Sequence, residues 1–236
     1  MELLALAIAP GLAISIYIFW KDKFDPEPKR LLIWAFVLGV LSIIPAVILE
    51  LMVQRTGIVF SDSILMTAVY SFAGIALIEE AVKFFVVFRF LYPKKDFDEP
   101  FDGITYCVMA SMGFATLENI AYSIDHGAGT AILRMFTAVP AHAAFGVIMG
   151  YYMGLAKFNT HKSNTYLAYA LFIPSILHAA YDFPLIIDAG LIGWLSSYKV
   201  IGALVTLVIA ILLSRKAIKI HQYNSPFNDR HHKKVG

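Results

Sequence analysis

Seven long apolar runs, separated by short polar connections, dominate the pattern of the chain. Their approximate bounds are 3–20, 31–53, 64–91, 103–124, 131–156, 166–187 and 199–214. Crossing the hydrocarbon core of a bilayer takes roughly 20 apolar residues in an α-helix, and most of the runs reach that length. The pattern therefore predicts an all-α fold, a polytopic membrane bundle of about seven transmembrane helices.

Lysine and arginine are unevenly distributed among the connections, and this predicts the orientation. The first, third and fifth connections and the C-terminal tail are rich in them, whereas the second, fourth and sixth have only Arg55, Arg134 and Lys199 respectively. Because positive residues are retained on the cytoplasmic side, the N-terminus is predicted to lie outside and the C-terminus in the cytoplasm.

Composition agrees with a multi-pass membrane protein. Of 236 residues, 59% are hydrophobic and 15% charged, and no segment is long and polar enough for a separate soluble domain. We predict one transmembrane helical domain over residues 1–220 and a cationic, disordered cytoplasmic tail over 221–236. The first run lacks the features of a cleaved signal peptide and is predicted to be retained. The one cysteine, Cys107, excludes a disulfide framework.

Three short motifs predict local structure rather than chemistry. The segments 24–28 and 98–103, rich in proline and acidic residues, are predicted to be solvated cytoplasmic turns, with Asp102 capping the helix that follows. Glycines at 146, 150 and 154 form a strip of small residues on one helix face. Such a strip lets another helix approach closely, and in a seven-helix bundle we favour internal packing over dimerisation.

Ionisable residues occur at membrane depth in four successive apolar runs. A charged side chain at the bilayer centre costs about 2.5–3.5 kcal/mol on insertion scales, so such residues are functional candidates and are expected to meet in the bundle interior. Lys83 lies four residues after Glu79 and can neutralise one carboxylate of the Glu79–Glu80 pair. The candidate catalytic residues are Glu79, Glu80, Glu118, His142, His178 and Asp182.

These residue types suit the hydrolysis of an amide inside the membrane in two ways. A glutamate can take a proton from water and return it to the leaving amine, with a histidine donating to the oxyanion and Asp182 fixing the tautomer of His178. Alternatively, zinc can be held by His142, His178 and Glu118, with water in the fourth position.

Two other functional classes were weighed against a hydrolase. A proton-coupled transporter or channel would use the same buried Glu/His set, and the residue types alone do not choose between the two. The chain has no detectable internal repeat, which weighs against a transporter. A non-catalytic receptor or scaffold has no need of three buried glutamates. We therefore favour a hydrolase, without a nucleic-acid partner.

The order and spacing of the polar motifs resemble the PrsW family of intramembrane proteases. The resemblance extends over nearly the whole chain, although Cys107 stands where glycine is expected in the family. The matching motifs are Asp25-Pro-Glu-Pro28, Glu79-Glu80-x-x-Lys83, Asp102-Gly-Ile-x-Tyr106, Gly113-Phe-Ala-Thr-Leu-Glu-Asn119, His142 with Gly146, and His178 with Tyr181-Asp182.

This resemblance implies a multi-pass protease of the bacterial cell membrane. It implies the first, outer-side cut in a single-pass anti-sigma factor during the response to envelope stress. The family is distantly similar to the CAAX-type prenyl-protein proteases, which implies that Glu79 and Glu80 activate water and that Glu118, His142 and His178 complete the site.

Whether such a site holds zinc is left open by the resemblance. We favour glutamate-activated water without a metal, because adjacent helical residues point about 100° apart and are poorly placed to ligate one ion. Either Glu79 or Glu80 is then the general base, and His178 an oxyanion donor or a ligand.

Overall fold

The computed structural model describes residues 2–57 and 63–228, and most of them lie in helices. A π-helical segment, Tyr70–Ala76, joins α3 to α4, and 3-10 turns at Thr160–Lys162 and Gly193–Tyr198 precede α8 and α10. No strand occurs in these residues, which confirms the all-α prediction. The α-helices are α1 (Glu2–Lys21), α2 (Lys29–Gln54), α3 (Ile64–Val69), α4 (Leu77–Phe90), α5 (Pro100–His126), α6 (Ala128–Phe136), α7 (Ala138–Phe158), α8 (Ser163–Ile186), α9 (Ala189–Ile192) and α10 (Lys199–Asn224).

Five helical segments are long and apolar enough to cross a membrane, so this is a multi-pass helical membrane protein. They are Glu2–Lys21, Lys29–Gln54, Ala128–Phe158, Thr160–Ile186 and Lys199–Asn224. The runs predicted at 64–91 and 103–124 are helical but are not among the five, and the first of them is divided into α3, the π-helical segment and α4. The count of seven spans and the orientation stay predictions.

Two predicted elements differ from the structure in their bounds. The fifth run is divided at Thr137, which leaves helical geometry with φ −124° and ψ −78° and separates α6 from α7. The predicted boundary at residue 221 falls inside α10, where His221 is buried and its Nε2 lies 3.0 Å from the carbonyl oxygen of Tyr151. Residues 229–236 of the predicted tail lie outside the described residues, and their predicted disorder stays a prediction.

Helix α5 forms the centre of the bundle and is buried continuously from Phe101 to Thr116. It packs against α1, α2, α4 and α7. Glycines bring these backbones close together, since a Cβ on Gly39 of α2 would clash with the backbone of Ala110 in α5, and a Cβ on Gly11 of α1 with the side chain of Thr116. The position of α5 is therefore fixed from several sides by backbone contact.

The glycine strip of α7 packs inside the bundle, as predicted. A Cβ on Gly150 would clash with the backbone of Gly103, one on Gly154 with the backbone of Pro100, and one on Gly146 with the side chain of Ser111. All three neighbours belong to α5. The strip thus sets the short distance between α5 and α7, the two helices that hold Glu118 and His142.

The two acidic connections are only partly solvated: Pro26, Pro28 and Asp98 are exposed, whereas several of the acidic side chains are buried. Asp22, Glu27, Glu99 and Asp102 are each at most 4% exposed. They face inward because α5 offers partners: the Tyr106 hydroxyl donates to Glu27 and the Thr105 hydroxyl to Asp22. The predicted capping by Asp102 is confirmed, since its Oδ2 accepts from the backbone N–H of Glu99 at 2.7 Å.

Burial changes the acidity of the connecting carboxyls. Loss of hydration on burial raises the pKa of Asp22 to about 6 and of Glu27 and Glu99 to about 7, and the charges of neighbouring acids act in the same direction.

The contact between α5 and α7 predicts that Gly150→Ala destabilises the protein. The added Cβ meets the carbonyl of Gly103 and the Cα of Ile104, which are backbone atoms that cannot rotate away. Overpacking of this kind costs about 1–3 kcal/mol, and we expect a lower thermal unfolding temperature in detergent. Gly129→Ala is the matched control because a Cβ there meets nothing within 4 Å. Equal unfolding temperatures for the two variants would contradict the close backbone contact.

Candidate active site

The side chain of Lys83 stands at the centre of the candidate site and is 1% exposed. Its Nζ lies 2.7 Å from Glu80 Oε1, 3.4 Å from Glu79 Oε2 and 3.3 Å from His142 Nδ1. It also lies 4.4 Å from the centre of the Phe114 ring. One ammonium group therefore contacts both carboxylates of the pair, whereas the sequence predicted that it would neutralise one of them.

The helix that holds this lysine is preceded by a π-helical segment. Tyr70–Ala76 continues directly into α4, which begins two residues before Glu79. Within the segment, the Ser71 hydroxyl donates to the carbonyl of Ala179 in α8 at 2.9 Å. The segment thus docks α4 against the helix that holds His178. Wide turns of this kind are frequent at functional sites.

His178 lies between two carboxylates. Its Nδ1 is 3.0 Å from Glu80 Oε1 and its Nε2 is 3.2 Å from Asp182 Oδ2. Glu79 Oε2 is also within 4.0 Å of Nε2. Because ionised carboxylates only accept, both contacts are satisfied when each ring nitrogen has a proton. Asp182 and Glu80 thus contact opposite nitrogens of the ring, an arrangement that suits the imidazolium form, and the role of Asp182 in fixing one tautomer stays a prediction.

The partners of His142 define a different protonation state. An ammonium group has no lone pair, so Nδ1 accepts from Lys83. The opposite nitrogen, Nε2, then holds the proton and donates to Glu118 Oε2 at 2.9 Å. Both contacts are satisfied by a neutral ring with its proton on Nε2. The two histidines, whose ring centres are 5.1 Å apart, are thus held in different states.

Glu118 is held on its other side by Arg134. The Arg134 Nη2 lies 2.8 Å from Glu118 Oε2, and its Nε donates to Asn119 Oδ1 at 3.1 Å. The Asn119 amide in turn donates to the carbonyl of Ala7 at 3.0 Å. Through this chain of contacts, α6 and α1 both hold the part of α5 that contacts His142.

A cavity of about 360 Å³ opens beside these side chains. Glu79 is in its wall, whereas Glu80 is fully buried behind it and does not line it. The two members of the pair therefore differ in access to a bound molecule. The polar side chains of the wall are Glu79, Glu118, Tyr122, His126, Thr130, Arg134, Thr137, His142, His178, Tyr181 and Asp182.

The donor atoms also meet one requirement of a metal site. One ligand atom from each of Glu79, Glu80, His142 and His178 lies within 4.8 Å of the others, and Glu80 Oε2 is buried without a hydrogen-bond partner. From the sequence, Glu79 and Glu80 were expected to point too far apart to ligate one ion. In the structure each places an oxygen near the same point. Glu118, predicted as a zinc ligand, is outside this group and contacts His142 from the far side.

All six residues predicted from the sequence are brought together by α4, α5, α7 and α8. Two nearby charged residues were missed. Glu50 of α2 interacts electrostatically with Glu118, His178 and Lys83. It is the one acidic residue in its apolar run, and an ionisable residue at membrane depth was the feature that identified the other candidates. Arg134 showed no such signal, because it lies near the start of its apolar run and was assigned to the fourth connection, where a lone arginine is expected.

Similarity to known proteins identifies the family. The family described as "PrsW family intramembrane metalloprotease" matches residues 27–214. A "Protease PrsW" of Geobacillus kaustophilus is 42% identical over 78% of this chain and 80% of its own length, and that of Bacillus subtilis is 37% identical over 77% and 81%. The Clostridioides difficile "Protease PrsW" is 35% identical over 80% and 81%. No solved structure matches the chain. The chain belongs to the PrsW family of intramembrane proteases.

Proposed function

We propose that this chain hydrolyses a peptide bond of a single-pass membrane protein with water activated by Glu79. The observation that carries the proposal is the position of Glu79 in the wall of a cavity whose other polar groups include both buried histidines. Membership of a protease family favours this reading over a proton-coupled transporter with the same side chains.

In this mechanism Glu79 is the general base and Glu80 holds the site together. Water in the cavity gives a proton to the Glu79 carboxylate, and the resulting hydroxide attacks the scissile carbonyl. The Glu79 carboxyl then returns the proton to the leaving amine. Glu80 contacts Lys83 and His178 at 2.7 and 3.0 Å, and it positions both. Its burial behind the cavity wall supports this division of roles.

The cationic side chains stabilise the charge that develops on the carbonyl oxygen. His178 lines the cavity with both ring nitrogens protonated, and Lys83 lies directly behind Glu79. Fixed positive groups in a site that excludes water stabilise the developing negative charge more strongly than the same groups do in solution. Glu118, together with Arg134, orients His142, and Asp182 orients His178.

The donor set also fits zinc, and the matched family is described as a metalloprotease. Glu79, His142 and His178 would hold the ion, which when bound polarises the carbonyl and acidifies water. In the structure the Lys83 ammonium already lies between Glu79, Glu80 and His142, so a metal ion competes with an internal cation. We therefore keep the glutamate mechanism as the proposal.

We propose an anti-sigma factor as the substrate, cut first on its outer side in envelope-stress signalling. The resemblance of the sequence motifs to the PrsW family suggests this class of substrate. Part of the cavity wall comes from the end of α5 and from α6. These segments lie at the fourth connection, which has few positive residues and is predicted to lie outside.

Glu79→Gln is expected to lower kcat by roughly 10²–10⁴-fold, because glutamine cannot accept the proton of water. The variant and wild type would be reconstituted in liposomes with single-pass anti-sigma factors, and the fragments identified by mass spectrometry. Glu2→Gln, at the exposed start of α1, is the matched control. Cleavage by Glu79→Gln at the wild-type rate would overturn the assignment of the base.

A parallel assay with a zinc chelator decides the metal question, since activity that survives chelation supports glutamate alone.

Arg134→Gln is expected to lower kcat roughly 10–100-fold, as is typical when a group that orients an active-site residue is removed. Glu118 would lose its cation and its fixed contact with His142. Arg134→Lys keeps the positive charge and should keep more activity in the same liposome assay. Equal rates for wild type and both variants would show that Arg134 does not position Glu118 for catalysis.

A further inference from the structure

A second cluster of buried acidic side chains lies at the opposite end of α5 from Glu118. Asp22 follows α1, Glu27 precedes α2, and Glu99 and Asp102 are at the start of α5. Sixteen residues of helix separate Asp102 from Glu118, which is about 24 Å at 1.5 Å per residue. The acidic cluster, defined as these four side chains, is thus a separate place in the fold from the candidate active site.

Three of these carboxylates converge on one point. One oxygen from each of Asp22, Glu99 and Asp102 lies within 4.8 Å of the other two, and all three side chains are at most 2% exposed. Two ligands on opposite sides of a Ca²⁺ ion are about 4.8 Å apart, since calcium–oxygen distances are about 2.3–2.6 Å. The oxygens are therefore close enough to share one ion.

The hydrogen bonds of the cluster leave part of each carboxylate without a donor. Asp22 Oδ2 accepts from the N–H of Glu27 at 3.2 Å, and Asp102 Oδ2 accepts from the N–H of Asp98 at 2.8 Å. The remaining oxygens, Asp22 Oδ1, Asp102 Oδ1 and Glu99 Oε2, are buried and have no hydrogen-bond donor. Buried carboxylate oxygens without partners are costly and call for either a proton or a cation.

No basic side chain neutralises the cluster within residues 2–57 and 63–228. None of the ion pairs of these residues includes Asp22, Glu27, Glu99 or Asp102. The nearby Lys157 donates instead to the carbonyl oxygens of Tyr92 and Lys94. This contrasts with the candidate active site, where Lys83 and Arg134 neutralise the glutamates.

We propose that Asp22, Glu99 and Asp102 bind a hard divalent cation, Mg²⁺ or Ca²⁺, with Glu27 beside it. Oxygen-only donors are what these ions prefer, whereas zinc favours nitrogen and sulfur. The ion ties the α1–α2 connection to the start of α5. It therefore stabilises the end of the helix whose other end holds Glu118.

The test uses the full-length chain, purified in detergent and freed of metal with a chelator. Binding of Mg²⁺ and of Ca²⁺ would be measured separately by isothermal titration calorimetry, and thermal unfolding would be followed with each ion. We expect about one ion per chain and a rise of several degrees in unfolding temperature, as ligand binding to the folded state requires.

Substitutions locate the bound ion. Asp22→Asn and Glu99→Gln keep the side-chain shape and are expected to weaken binding at least tenfold. Asp25→Asn, in the same connection but outside the cluster, is the matched control and should bind as wild type does. Glu79→Gln should also bind normally, which separates this ion from any metal at the active site.

Two outcomes would overturn the proposal. One is the absence of Mg²⁺ and Ca²⁺ binding to a chain that circular dichroism and gel filtration show to be folded. The other is binding that Asp22→Asn and Glu99→Gln leave unchanged. If no ion binds and the unfolding temperature instead rises as the pH is lowered from 8 to 5, carboxyl protons rather than a cation neutralise the cluster.

Discussion

The ammonium group of Lys83 is the interaction on which the candidate site depends. Two adjacent carboxylates in a nearly water-free interior repel each other, and neither could stay ionised without a counter-charge. Lys83 contacts both and also fixes the ring of His142. It thereby links α4 to α7, and Glu80 extends the link to His178 in α8. Polar side chains of three helices are thus connected through one lysine.

This charge network needs helices that are held at fixed separations. Close contacts at glycines on α1, α2 and α7 hold α5 between its neighbours. Hydrophobic attraction between helices is weak in lipid, so close packing and polar contacts must supply the stability. In this protein the glycine contacts and the ion pairs meet on α5 and α7.

Much of the fold and of the site could be predicted because membrane burial makes each polar residue conspicuous. Glu79, Glu80 and His178 stand out in apolar runs, and the four-residue spacing of His178 and Asp182 places both on one face. The connections were less predictable. Burial of Asp22 and Glu27 depends on hydrogen bonds from Thr105 and Tyr106, which are distant from them in sequence.

Contacts made across a helix break were also beyond the sequence pattern. Arg134 reaches Glu118 because the chain turns at Gly127, where φ is 83°, and α6 packs back against α5. Which glutamate faces the cavity was undecided for a similar reason, since adjacent residues have the same composition and spacing. Only the packing of α4 against α8 distinguishes Glu79 from Glu80.

The π-helical segment Tyr70–Ala76 has a consequence for the rotational phase of the third apolar run. Its hydrogen bonds span five residues rather than four, so each wide turn accommodates one extra residue compared with an α-helix. A helical wheel drawn through 64–90 as one regular α-helix would therefore assign Glu79 to the wrong face. Deleting a single residue from this stretch would remove the extra residue and let it form a regular α-helix, so that Glu79 and the residues after it would keep their faces.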